Sequence, residues 1–118
     1  MSGETKRKSI PKSVRMQVYK KYDGHCAYCG CELKYKDMQV DHINPIYWHN
    51  GEDVIDNYNP SCRMCNFYKS TYTIERFRER LETIRNRLEK SYIYRIAKKY
   101  GIVKENNEPI VFYFEKVD

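Results

Sequence analysis

Cys26-Ala27-Tyr28-Cys29 and Cys62-Arg63-Met64-Cys65 are two Cys-x-x-Cys pairs separated by residues 30–61. Two such pairs can supply four thiolates to one tetrahedral zinc ion. Gly24 and Gly30 flank the first pair and ease the tight turns of a zinc knuckle. The second pair stands at i and i+3, which places both sulfurs on one face of a helix. Buried or redox-active thiols are the alternative, but they rarely come as two paired spacings. Structural zinc contributes about 10–16 kcal/mol in small zinc-finger peptides, comparable to or above the whole stability of a small domain. The expected ligands of one Zn²⁺ per chain are therefore Cys26, Cys29, Cys62 and Cys65. Cys31 is left over and reads as a free thiol, with a competing claim on the place of Cys29. His25 adjoins the knuckle as a bystander.

Outward from the cysteines the pattern is mixed α and β. Met38, Val40 and Ile43 suggest a short strand ending near Asp41-His42. Residues 44–56 contain Asn44-Pro45 and Asn50-Gly51, both turn signals, and read as a long functional loop. Pro60-Ser61 precedes a compact run and suggests a helix start with Ser61 as cap. On the N-terminal side, Val14, Val18 and Tyr22 recur at four-residue spacing, so a helix is expected from Pro11 to Tyr22, stopped by Asp23-Gly24. On the C-terminal side a helix opens at Thr73. Its apolar stripe is Ile74, Phe77, Leu81, Ile84 and Leu88, and its other face alternates Arg and Glu. A shorter helix runs from Ser91 to Tyr100 and ends at Gly101. Ile110-Val111-Phe112-Tyr113-Phe114 is β-branched and aromatic and predicts a final strand.

The chain has 118 residues, enough for one domain with a small core that a metal staple would help to hold. Lys and Arg outnumber Asp and Glu by 22 to 16, a formal net charge of +6, which points weakly to a polyanionic partner. No run of about 18 apolar residues is present, so no membrane span is expected. Residues 1–8 are charged and lack the apolar stretch of a signal peptide, so a disordered basic arm and a cytoplasmic protein are expected. In that compartment five cysteines favour metal ligation over disulfides. Twelve tyrosines suit half-buried packing with wet hydroxyls; in a basic protein some could meet nucleic acid.

Val40-Asp41-His42-Ile43-x-Pro45, followed by Asn57-x-x-Pro60-x-Cys62-x-x-Cys65-Asn66-x-x-Lys69, resembles the HNH endonucleases, and within them the small zinc-bound proteins of bacteria and phages. The resemblance covers residues 10–72 closely. Phe77-Arg78, Tyr100-Gly101 and Phe112-Tyr113-Phe114-Glu115 resemble, more weakly, the tail of some standalone members. It implies an α+β fold: a ββα-metal core with the four-Cys zinc site, preceded by one helix and followed by helices and a C-terminal strand. Residues 9–72 would be the nuclease core with its zinc knuckles. Residues 73–118 would be a helical extension and final strand packed as part of the same domain. On the family pattern His42 is the first H, Asn57 the N, and Asn66 stands where the last H usually sits, an H-N-N variant of which active members exist. By the same resemblance Asn57 pins the loop backbone and orients His42.

The residues carry a chemistry of their own. Phosphodiester hydrolysis needs an activated water and a cation to absorb charge on the phosphate. His42 is the strong candidate for a general base near neutral pH. Asp41 offers a hard carboxylate oxygen and Asn66 a neutral amide oxygen, a set that suits Mg²⁺ or Mn²⁺ and serves zinc or copper poorly. Cys62, Cys65 and Asn66 stand at i, i+3 and i+4, so zinc would hold the helix that presents Asn66. Lys69, four residues beyond Cys65, and Arg63 are the candidates for meeting a substrate phosphate. Taken singly, each residue has a plain structural reading: Asp41 a turn, His42 a structural ring, Asn57 and Asn66 caps. Their joint spacing around the cysteines is what points to a catalytic site. His49 reads as exposed loop, secondarily as a substrate contact.

The expected activity is a metal-dependent endonuclease on DNA, nicking or cutting both strands. No recognition-helix pattern is legible, so low sequence specificity is expected, with a possible protein partner for targeting. Half of the Arg and Lys beyond residue 62 read as a solvated face stitched by ion pairs. If about five of the rest meet phosphates, binding should fall with salt at a log–log slope of about −4 to −5. The competing reading is a zinc-stapled nucleic-acid-binding module without catalysis, or a protein-interaction accessory. Asp41-His42 argues against it, because a pure binder does not need that pair.

Overall fold

The computed structural model describes residues 9–45 and 51–117. The basic arm expected over residues 1–8, and His49, lie outside them. Helix α1 spans Lys12–Lys20 and buries Val18. The first Cys-x-x-Cys pair follows in a knuckle closed by Gly30 N–H donating to the Cys26 carbonyl at 3.0 Å. Gly30 has φ 82°, which glycine adopts without strain, and an added Cβ would meet the Tyr113 ring at 2.8 Å.

Two short strands build the sheet: β1, Gln39–His42, and β2, Tyr58–Ser61, antiparallel. The register pairs Gln39 with Ser61, Val40 with Pro60, Asp41 with Asn59 and His42 with Tyr58. Pro60 is tolerated because a two-stranded sheet consists of edges. Its carbonyl faces outward and accepts from Ala27 N–H at 2.8 Å, docking the knuckle on β2. Helix α2, Arg63–Lys69, follows directly and packs on β1, completing a ββα unit.

The helices of the extension are α3 (Ile74–Glu82), α4 (Ile84–Leu88), α5 (Tyr92–Lys99) and α6 (Tyr113–Lys116). Thr73 and Ser91 cap α3 and α5, accepting from Arg76 N–H and Tyr94 N–H. The stripe read as one helix is broken at Thr83, whose hydroxyl donates to the Arg80 carbonyl at 2.7 Å. Phe77 is the buried anchor of α3; it stacks on Phe112 at 5.1 Å, and Tyr28 meets both rings edge-on at 5.5 Å. These rings join Val18, Cys26, Leu33, Met38 and Tyr58 in the core.

Two expectations are corrected. Ile110–Phe114 is not a strand. Phe112 N–H is taken by the Glu115 carboxylate at 2.8 Å, Tyr113 and Phe114 donate to the knuckle carbonyls of Tyr28 and Ala27, and the chain turns into α6. The aromatic pattern reflects rings filling the core, not a ladder. Ser61 is not the cap of α2. It ends β2 fully buried, and Cys62 caps the helix, its Sγ accepting from Cys65 N–H at 3.4 Å.

The molecule is elongated, with principal-axis extents of 50 × 33 × 23 Å. The radius of gyration is 16.8 Å, against about 13.5 Å for a compact chain of this length. Helix α5 buries none of its residues. Among the described residues no helix is long and apolar enough to cross a membrane.

Candidate active site and metal centre

The four sulfurs of Cys26, Cys29, Cys62 and Cys65 all lie within 4.8 Å of one another, with Cys29 and Cys62 at 3.9 Å. A tetrahedron of sulfurs about 2.3 Å from zinc has edges of about 3.8 Å, so the cage has the right size. Its lining also suits thiolates: Tyr28 N–H donates to Cys26 Sγ and Cys65 N–H to Cys62 Sγ, both at 3.4 Å. The Cys65 thiol, hydrogen-bonded to Cys26, lowers the Cys26 thiol to about 4, and the same bond pushes Cys65 up. These residues fit zinc, and when bound it would tie the knuckle to the start of α2. Cys31 stands outside the cage; its carbonyl accepts from Cys26 N–H at 2.8 Å. His25 is occupied elsewhere, with Nδ1 3.1 Å from the Tyr22 carbonyl and its ring stacked on Tyr113.

Asp41 and His42 are the last two residues of β1 and meet different partners. Asp41 points inward and is 4% exposed. Its Oδ2 accepts from Tyr28 Oη at 2.5 Å and faces Lys69 Nζ at 3.1 Å. Among the described residues Oδ1 takes no hydrogen bond. Lys69 also donates to the His42 carbonyl at 2.9 Å, so one ammonium ties α2 to both residues of the strand end. Burial raises the Asp41 carboxyl and lowers the Lys69 ammonium, in each case outweighing the attraction of the partner. Asn59, opposite Asp41, is fully buried and donates to Tyr28 Oη at 3.4 Å.

The position of Lys69 corrects its expected role. Its side chain is 0% exposed, so it does not present a charge to a phosphate in solvent. The i+4 spacing from Cys65 does place it on the same side of α2, but that side is the interior. Arg63 is exposed at the start of α2. Asn66 is half-buried, one turn before Lys69 on α2.

His42 faces the loop. Its side chain is 14% exposed and its Nε2 lies 3.0 Å from Asp53 Oδ1. Tyr58 Oη donates to the same oxygen at 2.5 Å, and the His42 and Tyr58 rings meet edge-on at 5.3 Å. The loop base is tied by Asn57: Oδ1 accepts from Asn44 N–H at 2.9 Å, and Nδ2 donates to the carbonyls of Asn44 and Glu52 at 3.0 and 2.8 Å. Gly51 permits this closure, since an added Cβ would fall 1.7 Å from the Asn44 carbonyl oxygen. Asp53 was not singled out from the sequence. The one signal was an acidic pair, Glu52-Asp53, directly after the Asn50-Gly51 turn and between His42 and Asn57.

A family model described as HNH endonuclease matches residues 26–71, from the first zinc ligand to just past Lys69. This segment is an HNH endonuclease domain. Among solved structures, the chain is similar to the Type II-C Cas9 enzyme from Actinomyces naeslundii, with a TM-score of 0.53 and 25% identity. The likeness covers 65% of this chain and 9% of that one, so the chain spans under a tenth of its neighbour's length. No curated protein matches the sequence. The ββα unit and the four-cysteine cage agree with the family match.

Proposed function

We propose that this chain is a metal-dependent endonuclease that hydrolyses DNA phosphodiester bonds. His42 serves as general base, and Asp41 and Asn66 hold a Mg²⁺ or Mn²⁺ ion distinct from the zinc. The observation that carries the reading is the joint at Lys69, which fastens the helix bearing Asn66 to the strand end bearing Asp41 and His42. The hard-oxygen donor set suits such an ion. When bound, the cation would absorb charge on the phosphate and the leaving oxygen. His42 would take the proton of the attacking water through an imidazole nitrogen. Asn57 would keep the loop, and with it the surroundings of His42, in place. Arg63 would meet a phosphate from the exposed edge of α2. The chain would act on DNA with little sequence preference, and a protein partner could supply targeting.

The second reading, a binding module without catalysis, draws on the burial of Asp41 against Lys69, which already neutralises the carboxylate. The two readings separate in one assay. Supercoiled plasmid is incubated with wild type and His42→Ala in Mg²⁺ or Mn²⁺. Nicking by wild type and its loss in the variant is expected. Binding without nicking by wild type would leave the second reading, and full activity in His42→Ala would remove His42 as base.

A further inference from the structure

His42 Nε2 faces a carboxylate oxygen of Asp53 at 3.0 Å. An ionised carboxylate only accepts hydrogen bonds, so the ring nitrogen opposite it must carry a proton. In a neutral imidazole the lone pair then belongs to Nδ1. Asp53 is not a loose rim residue. Its Oδ1 also receives the Tyr58 hydroxyl at 2.5 Å, and Tyr58 is 5% exposed. The sheet register places Tyr58 directly opposite His42, where its ring stands edge-on to the imidazole at 5.3 Å. The segment that carries Asp53 is tied at its ends, by Asn57 to Asn44 and Glu52 and by the close passage of Gly51 past Asn44. Three separate elements, β1, the loop and β2, thus converge on one His–Asp–Tyr constellation.

We infer that Asp53 is a positioning residue for His42: held by Tyr58, it fixes the Nε2–H tautomer and so makes Nδ1 the proton acceptor. The inference rests on His42 being the base of the proposed hydrolysis. In that step a water proton passes to Nδ1, the resulting hydroxide oxygen forms the new bond to phosphorus, and the bond from phosphorus to the leaving oxygen breaks. The leaving oxygen is then protonated from solvent. Asp53 touches neither water nor phosphate. It acts through the ring, much as a triad carboxylate orients its histidine.

The test reads the tautomer directly. Long-range ¹H–¹⁵N correlation spectra of the zinc-loaded full chain are recorded for wild type, Asp53→Asn and Tyr58→Phe, with His42→Ala used to assign the ring. Wild type should show His42 as the Nε2–H form. Asp53→Asn should shift it to a mixture or to Nδ1–H, and Tyr58→Phe, which only releases the Asp53 oxygen, should shift it less. In plasmid nicking, Asp53→Asn should lower kcat at least roughly tenfold with little change in KM, and Asp53→Glu should recover part of it. An unchanged tautomer in Asp53→Asn overturns the inference, as does an equal loss in kcat for Asp53→Glu. If wild type never nicks, the nuclease reading fails while the spectra still decide what Asp53 does to His42. If Asp53→Asn does not fold, the Tyr58→Phe spectrum decides.

Discussion

Lys69 Nζ stands 3.1 Å from Asp41 Oδ2, and the two side chains are 0% and 5% exposed. A residue expected on the substrate surface is therefore the internal counter-charge of the strand that carries His42. Removing one member of a buried pair leaves the other charge uncompensated, at a cost of about 3–5 kcal/mol. Lys69→Met should destabilise the zinc-loaded protein by that order in urea denaturation, and adding Asp41→Asn should restore part of it. Arg63→Ala should leave stability within about 0.5 kcal/mol and weaken DNA binding, with a shallower salt slope. A stable Lys69→Met that bound DNA poorly would return Lys69 to the substrate side.

The cage predicts one zinc per chain by elemental analysis of purified protein. Cys31→Ser should keep it, because Cys31 lies outside the cage. Cys62→Ser should lose it and unfold: Cys62 is both a cage member and the N-cap of α2, and the metal contributes much of the folding energy. Full zinc content and native circular dichroism in Cys62→Ser would contradict the cage.

Acid stability should carry the mark of Glu115. Arg78 holds it in a fork, Nη1 to Oε1 at 2.9 Å and Nη2 to Oε2 at 2.6 Å, which keeps the Glu115 carboxyl below its ordinary value. A depressed carboxyl stabilises the fold above the ordinary carboxylate value, and that contribution is lost as pH falls through the folded-state value. Wild type should therefore melt above Glu115→Gln at neutral pH, by an amount matching about 1 kcal/mol or less for a partly exposed pair. The gap should close as the pH drops below about 4. A gap that widens on acidification would contradict the assignment.

The four-cysteine cage was legible because each Cys-x-x-Cys pair is a short-range signal. The cysteine spacing, the β-prone residues before Asp41-His42 and the Asn66 position on α2 all sit within one turn or one strand. What was not legible depends on long-range closure. Asp53 has meaning only once β1 and β2 pair and Tyr58 lands opposite His42. Spacing placed Lys69 on the side of Cys65, yet only the packing of α2 on β1 makes that side the interior. Ile110–Phe114 is β-branched and aromatic like a strand, yet its backbone is taken by the knuckle carbonyls and Glu115 while Phe112 enters the core. Ser61 carries a capping hydroxyl, but it belongs to β2 and donates to the Cys62 carbonyl, so the Cys62 sulfur takes the cap.

The proposed hydrolysis divides the labour: the thiolates would hold zinc to build the site, and a hard cation at Asp41 and Asn66 would serve the reaction. The direct measurement is plasmid nicking by protein carrying one zinc per chain, without added metal and then with Mg²⁺ or Mn²⁺, with zinc content assayed before and after. No nicking is expected with zinc alone, with nicking on addition of the second metal and an unchanged zinc content. Nicking by the zinc-only protein, or its absence under every metal, would contradict this division.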